Sequence, residues 1–330
     1  MSILISDLDS EIINSLDLPD LVNLMQANKN YYDKIKILEL INEWNQIKME
    51  DGKIEEIFYL ACEKGFVNYF NSLRKRYNFK NYQCAFVLAC KYGHLNLAKW
   101  LIDLGNQYDI NIDKIGYSGN NYHDENYTPF ILCCRNGHLD VAKWLITLGH
   151  QSEYHKKINI HIKNEYAFRT ACGHGHLDLA KWLITLGENG YGRIDIHVCN
   201  EHALTFASGY GHLDIVKWLI YLGENGHGRI NIHAVDENTF RFVCLRGNLS
   251  MAKWIIQLGE NGYGRINIHV LNDHVFKISN HCGHIDVAKW LITLGENGYG
   301  PIDIDPNLVD LIAYQKKIRH ELINSLVNIY

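Results

Sequence analysis

The chain has 330 residues, of which 47% are hydrophobic and 21% are charged. This composition is typical of an ordinary soluble protein that can bury a large apolar surface. The formal net charge of -5 gives no global attraction to nucleic acid or to anionic membranes, so neither is expected as a partner. The opening MSILISDLDS has no basic leader, and no run of 18 apolar residues occurs, which predicts a cytoplasmic location.

Residues 1–54 are predicted to form an N-terminal helical segment. Within it, Glu11-Ile12, Leu18-Pro19-Asp20-Leu21 and the run NKNYY at 28–32 resemble an F-box. The resemblance implies docking to the small adaptor subunit of a ubiquitin ligase. The first helix is about one turn short for that family, and Asp9 stands where the family usually has Pro. The alternative is that these apolar residues cap the open end of a repeat array.

Residues 55–300 contain such an array. The stretch GHLDLAKWLITLG at 175–187 recurs along the chain, and its last four copies lie 36 residues apart. Its first glycine returns as Gly65, Gly93, Gly137, Gly175, Gly211, Gly247 and Gly283. A fixed period of this length is typical of stacked repeats, whose units bury their apolar faces only against neighbours. The sequence therefore predicts seven repeats.

Each repeat is predicted to contain two helices. Leu179, Trp182 and Leu183 follow the helical period, and Asp178 is a candidate N-cap for this second helix. The closing Gly187 is expected in the left-handed conformation that ends helices. Candidate caps for the first helix are Asn164, Asn200, Asp236 and Asn272.

The stretch TPFILCCRNGHLDVAKWLITLG at 128–149 resembles the ankyrin repeat, with Thr128-Pro129 opening the first helix and Gly137-His138 at the turn between helices. The resemblance implies an all-α, ankyrin-type helical solenoid that binds other proteins. The connector ENGYGRIDIH is similar to the ankyrin families of giant DNA viruses, which implies host cytoplasm. About six extra residues separate Gly187 from Asp195, so extended connectors are expected in repeats four to seven, with the paired hairpins of the family in doubt.

One insertion interrupts the array, because Trp100 and Trp144 lie 44 residues apart. The extra stretch, KIGYSGNNYHDENY at 114–127, is polar and aromatic, a mixture that suits recognition. The candidate partner-binding residues here are Tyr117, Tyr122, His123 and Tyr127. The alternative is a tolerated surface loop, since long insertions cost little closure entropy.

The connectors provide a second candidate partner surface, a basic and aromatic edge that would face an acidic protein. Its residues are Tyr191, Arg193, His227, Arg229, Tyr263 and Arg265. The alternative is that Glu188, Glu224 and Glu260, in the same connectors, neutralise the arginines locally.

Catalytic, cofactor and metal sites are not expected. The histidines fall into two repeat registers, and equivalent residues of neighbouring helices lie about 8–10 Å apart, too far to share one zinc ion. The resemblance assigns the register of His176 to hydrogen bonding at the turn. GENGYG at 187–192 follows a helix rather than a strand, which is not the context of a nucleotide loop. The nine cysteines fit free thiols in a reducing compartment.

A tryptophan column is predicted to form the structural core, where full burial of each indole removes about 200 Å² from water. Its members are Trp100, Trp144, Trp182, Trp218, Trp254 and Trp290. Residues 301–330 are predicted to be a C-terminal helical cap. The sequence therefore predicts a non-enzymatic protein-interaction module, or alternatively an F-box-type substrate adaptor whose array holds the target.

Overall fold

The computed structural model describes residues 79–104, 110–113, 127–151 and 157–303, together with single positions between 58 and 74. The N-terminal segment, most of the insertion and the predicted C-terminal cap after residue 303 lie outside the described residues. The predictions for Tyr117, Tyr122 and His123 therefore concern residues that are not described.

Six helix pairs follow one another in the described part, and no strand occurs there. The predicted fold class, an all-α helical solenoid, is confirmed. Repeats two and three contain α1 (Tyr82–Lys91), α2 (Leu95–Leu104), α3 (Pro129–Arg135) and α4 (Leu139–Gln151). Repeats four and five contain α5 (Ile162–Gly173), α6 (Leu177–Leu186), α7 (Val198–Gly209) and α8 (Leu213–Leu222). Repeats six and seven contain α9 (Ala234–Leu245), α10 (Leu249–Leu258), α11 (Val270–His281) and α12 (Ile285–Leu294).

The chain divides into two compact units between Ile158 and Asn159. In the first unit, α1 packs against α3, and each first helix packs against the second helix of its own repeat. In the second unit, α5, α7, α9 and α11 pack against one another in chain order, so the first helices form a continuous layer. Each unit is therefore a stack of helix pairs.

The core of each repeat is built from aliphatic residues and phenylalanine. In repeat four, Phe168 on α5 and Leu183 on α6 are fully enclosed, and Ile194 and Ile196 of the following connector are buried as well. The six tryptophans are only half-buried, which corrects the prediction that they form the core. The indole packs at the junction with the preceding repeat, as Trp218 does against Phe168, and the rest of its surface stays in solvent.

The second helices begin two residues earlier than predicted, which corrects the assignment of Asp178 as N-cap. Gly175 adopts a left-handed φ of 86° and turns the chain directly into α6, so His176 occupies the N-cap and Asp178 lies in the first turn. A carboxylate in the first turn still interacts favourably with the helix dipole. Asn248 differs, because its side chain caps α10 by accepting from the N–H of Met251 at 3.1 Å.

The closing glycines are not left-handed, which corrects a second prediction. Gly187 has helical angles of -58° and -45°, and the chain continues into a wide π-type turn at Gly187–Tyr191. A methyl group on Gly187 would lie 2.6 Å from the carbonyl oxygen of Gly192 and 3.3 Å from Ile194 Cγ1. Glycine is required here for close approach of the returning connector. Equivalent turns occur at Gly223–His227, Gly259–Tyr263 and Gly295–Tyr299.

The first helices of repeats four to seven open with a left-handed turn, so Asn164 and its equivalents are not N-caps. Lys163, Asn164 and Glu165 have φ values of 55°, 56° and 56°. A left-handed conformation costs about 1–2 kcal/mol per residue, least for Asn and Asp. The middle residue of the turn is always Asn or Asp, which accounts for the recurrence of Asn164, Asn200, Asp236 and Asn272.

Candidate interaction surface

The left-handed turns place a buried carboxylate beneath a connector histidine. In repeat five, His197 Nδ1 lies 2.8 Å from Glu201 Oε1, and the same oxygen accepts from the N–H of Asn231 in repeat six at 3.0 Å. His197 Nε2 lies 2.9 Å from the carbonyl oxygen of His227, also in repeat six. Each such pair therefore ties its own repeat to the connector that follows it, as His269 and Asp273 do with Tyr299 and Asp303. We call these pairs the carboxylate–imidazole locks: His161/Glu165, His197/Glu201, His233/Glu237 and His269/Asp273.

The partners of each lock favour the doubly protonated imidazole. His197 Nε2 faces a carbonyl oxygen, which only accepts, so it carries a proton. Nδ1 faces a carboxylate, which when ionised also only accepts, so it carries the second proton. Burial lowers the pKa of His197, but the hydrogen bonds to Glu201 and to the carbonyl of His227 outweigh it and raise the pKa overall. The pKa of His269 is raised by its hydrogen bond to Asp273.

The connectors form a second set of contacts between repeats. The Arg229 guanidinium lies over the Tyr263 ring of the next repeat, 4.3 Å from its centroid, and Nη2 donates to the carbonyl of Gly262 at 2.5 Å. Tyr263 in turn donates its hydroxyl proton to Glu224 Oε1 at 2.7 Å. Arg265 repeats the arrangement over Tyr299 at 3.8 Å, and Tyr299 donates to Glu260 at 2.9 Å. We call these contacts the connector ladder.

The predicted connector residues thus interact within the chain. Arg193 donates to the carbonyl of Gly226, and His227 lies 3.7 Å from Glu188. The carboxylates of Glu224 and Glu260 accept from tyrosine hydroxyls, which differs from the alternative in which they neutralise the arginines. The outer faces of Arg193, Arg229 and Arg265 remain solvent-exposed, so the edge is available for contact although its geometry is fixed by the ladder.

The comparisons with known proteins agree with the repeat geometry. Residues 58–157 match a family model described as ankyrin repeats in three copies, and residues 166–220 match another described as ankyrin repeats in many copies. The matched stretches contain ankyrin repeats. A search of curated proteins finds none that matches this chain. Among solved structures, the human ASB11 ankyrin repeat domain is similar at 18% identity and a TM-score of 0.43, over 67% of this chain and 96% of that chain.

Histidines at the turn between the two helices join adjacent ankyrin repeats, as the resemblance implies. His94 Nε2 lies 2.7 Å from the carbonyl oxygen of Glu63 in the preceding repeat. In repeat five, the His212 ring lies so close to Gly175 of repeat four that a methyl group there would be 2.7 Å from Cε1. These imidazoles are structural parts of the stack.

The tryptophans also join neighbouring ankyrin repeats. Trp218 on α8 packs against Phe168 on α5 of the preceding repeat, with ring centroids 6.2 Å apart. Trp144 meets Phe86, and Trp290 meets Phe240, in the same way at 6.3 Å. These half-buried indoles therefore contribute to the contacts between repeats, while the rest of their surface is exposed to solvent.

The part of the chain that the structure describes contains no group of three or more metal-ligating side chains close enough to hold an ion. Nor is any helix within that part long and apolar enough to cross a bilayer. All nine cysteines are free thiols, and seven of them are buried. Burial raises the pKa of the Cys172 and Cys244 thiols well above the ordinary value, so these groups are poor nucleophiles.

Sequence reasoning missed an aromatic cluster at the ends of α7 and α9. Phe206 lies 5.2 Å from Phe242 between ring centroids, and Tyr210 lies 6.1 Å from Phe242. Arg246 lies over the Tyr210 ring at 4.5 Å. The available signal was a departure from the repeat: repeat six has Arg246, Asn248 and Ser250, where repeat five has Tyr210, His212 and Asp214.

Proposed function

We propose that this protein is a non-enzymatic module that binds another protein. The observation that supports the proposal is that each repeat uses one set of side chains to contact its neighbours and leaves another set exposed. The locks, the connector ladder and the buried Phe and Leu side chains hold the repeats together, while other large side chains remain exposed. Tyr221 and Tyr210 keep 59% and 45% of their surface in solvent. Stacked repeats of this kind present extended surfaces for recognition.

The test uses the full chain as bait in a eukaryotic lysate, with captured proteins identified by mass spectrometry. Each captured protein is then purified and titrated against the chain by calorimetry. We expect at least one to bind with a 1:1 stoichiometry and a Kd below about 10 μM, which corresponds to about 7 kcal/mol. Failure of every purified candidate to bind would contradict the proposal.

The insertion is part of this proposal as a partner contact. A second bait, in which residues 114–126 are replaced by a short Gly/Ser linker, keeps Tyr127 beside the start of α3. If the insertion contacts the partner, this bait binds the purified partner at least tenfold more weakly. Equal affinity would assign the insertion to the tolerated surface loops. A variant with Arg193→Gln tests the outward face of the connectors in the same assay.

The F-box-type adaptor is a second candidate, which rests on the resemblance of residues 7–40 alone. A bait that lacks residues 1–48 distinguishes it from the plain module. We expect ligase adaptor and cullin subunits with the full chain and not with the shortened one, if the segment works as an F-box. If neither bait recovers them, the segment is assigned to the cap of the array.

A reducing, cytoplasmic setting is also proposed, including the host cytoplasm if the protein is viral. The support is the use of cysteine as a buried apolar residue, with Cys90, Cys134, Cys172 and Cys244 at equivalent positions near the ends of first helices. Fluorescence microscopy of a tagged chain in the expressing cell tests the location. Signal confined to a membrane-bound compartment would contradict it.

A further inference from the structure

Repeats five and six together carry an exposed aromatic surface. His202 stacks on Phe206 with centroids 4.0 Å apart, Phe206 packs against Phe242, and Tyr210 covers their edge. Gly209 permits this arrangement, because a methyl group there would overlap the Phe242 ring. The rings are half-buried rather than enclosed, and Tyr210 is the most exposed of them.

An open cleft of about 760 Å³ adjoins Tyr210, at the edge of this aromatic surface. Its walls come from the end of α7, the turn of repeat six and the first two turns of α10. The lining residues are Gly209, Tyr210, Arg246, Gly247, Asn248, Leu249, Ser250 and Lys253. These eight include two cations and no acidic side chain.

The charge at one position of the second helix differs in repeat six. Repeats three, four, five and seven have Asp at the second position of this helix, as in Asp178 and Asp214, and a lysine follows three residues later. Repeat two has Asn96 there. In repeat six this position is Ser250, whose hydroxyl donates to Asn248 Oδ1 at 3.0 Å. The lysine is retained as Lys253, and Arg246 is added. The substitutions therefore change the local charge from balanced to positive.

We propose that this aromatic and cationic cleft docks an acidic segment of a partner protein that carries an aromatic or large apolar side chain next to its carboxylates. The inference rests on the proposed function and specifies the partner's chemistry. Arg246 and Lys253 supply two exposed cations for carboxylates, and Arg presents a planar fork that suits them. The Tyr210 ring and Leu249 supply the apolar contact within the cleft, and Phe206 and Phe242 pack beside Tyr210.

Charge complementarity favours a peptide over a nucleic acid. The whole chain carries a net charge of -5, so a long polyanion is repelled outside the cleft. Nucleic acid binding draws its affinity from many phosphate contacts, whereas the cleft offers two cations. A short acidic segment that enters the cleft and ends beyond it avoids this repulsion.

The experiment selects peptides from a random 16-residue phage-displayed library on the full-length protein. Enriched peptides are synthesised with a fluorescent label and titrated by anisotropy. We expect an enriched group with two or more Asp or Glu residues within four positions of Phe, Tyr, Trp or Leu. Arg246→Glu and Lys253→Glu should each weaken binding of these peptides at least tenfold, and Tyr210→Ala should weaken it about tenfold.

Lys217→Glu is the matched control, because Lys217 holds the equivalent position in repeat five, where Asp214 is present. It should change the Kd less than twofold, and circular dichroism should show that every variant is folded. Selection without acidic and aromatic enrichment, or equal binding by wild type and Arg246→Glu, overturns the inference. The inference is also overturned if a 16-nucleotide DNA strand displaces the labelled peptide at a lower concentration than the unlabelled peptide does. A captured protein whose binding is unchanged by Arg246→Glu overturns it too, while the proposed function stands.

Discussion

Removal of one lock carboxylate tests how the ankyrin repeats of this chain hold together. Glu201 is 4% exposed, and its Oε1 accepts from His197 Nδ1 and from the N–H of Asn231 in the next repeat. Glu201→Ala leaves both donors without this partner and leaves a charged imidazole beside a cavity. Hydrogen bonds to a charged group contribute about 1.5–3 kcal/mol, and breaking a buried pair costs about 3–5 kcal/mol. Because His197 is partly in solvent, we expect a loss of about 3 kcal/mol.

Urea denaturation followed by tryptophan fluorescence measures this loss, and native-state hydrogen exchange locates it. The Asn231 amide should lose protection in Glu201→Ala, while amides within α11 change less. Glu201→Gln is the matched variant, because it retains an acceptor oxygen of the same reach, and it should cost less than half as much. Glu296→Ala, at an exposed carboxylate, should be near neutral. A free energy of unfolding for Glu201→Ala within about 0.5 kcal/mol of the wild-type value, which is the error of the method, would refute this interpretation.

Three further predictions follow from the same contacts. The stability difference between wild type and Glu201→Gln should be largest below about pH 6.5 and should shrink as pH rises. The pKa of His197 is raised in the folded state, so its protonation stabilises the fold fully below the unfolded-state pKa, and this stabilisation is lost as pH rises through the folded-state pKa. Urea titrations at several pH values check the sign. Trp218→Ala should cost about 3 kcal/mol through its contact with Phe168, measured by urea denaturation, whereas Tyr221→Ala should be nearly neutral. Gly187→Ala should cost about 1–3 kcal/mol despite its helical angles, because of the overlap with the Gly192 carbonyl, and a raised melting temperature would contradict this.

The sequence predicted the all-α class, the pairing of helices and the repeat positions, because these depend on local period and on glycine at the turn. It did not predict where the helices start. Asp178 is a good capping residue, but the left-handed Gly175 turns the chain so sharply that the helix begins before it. Capping preference is a weak local effect, and the turn geometry outweighs it.

The prediction for the tryptophans overestimated how deeply they are buried, for a related reason. Recurrence of Trp182 and Trp218 at an apolar helix phase indicates contact with the core, yet phase does not report depth. Phe168 and Leu183 are fully enclosed, whereas the tryptophans are half-buried. The depth of a side chain depends on its neighbours in adjacent repeats, which is a tertiary property.

The locks were missed although a signal was present. Each connector histidine is followed four residues later by Glu or Asp, as in His197 and Glu201. Sequence reasoning placed the connector histidines in a register of their own and interpreted the Asn residues as caps, because three successive left-handed residues are not expected outside glycine. Only that turn brings the carboxylate under the ring, so the pairing could not be derived from helical spacing.

Residues that recur from repeat to repeat and residues that differ from the repeat pattern have different roles in this chain. The lock pairs recur in four successive repeats, and the strain of their left-handed turns persists because each carboxylate is fixed by donors from two repeats. A substitution in one lock is therefore expected to weaken the contacts between repeats, independently of which partner protein is bound. Arg246 and Ser250 lie in a repeat whose lock is intact, so their departure from the pattern leaves the stack in place. Variation that alters surface charge without touching the locks is where specificity can be placed at little cost in stability.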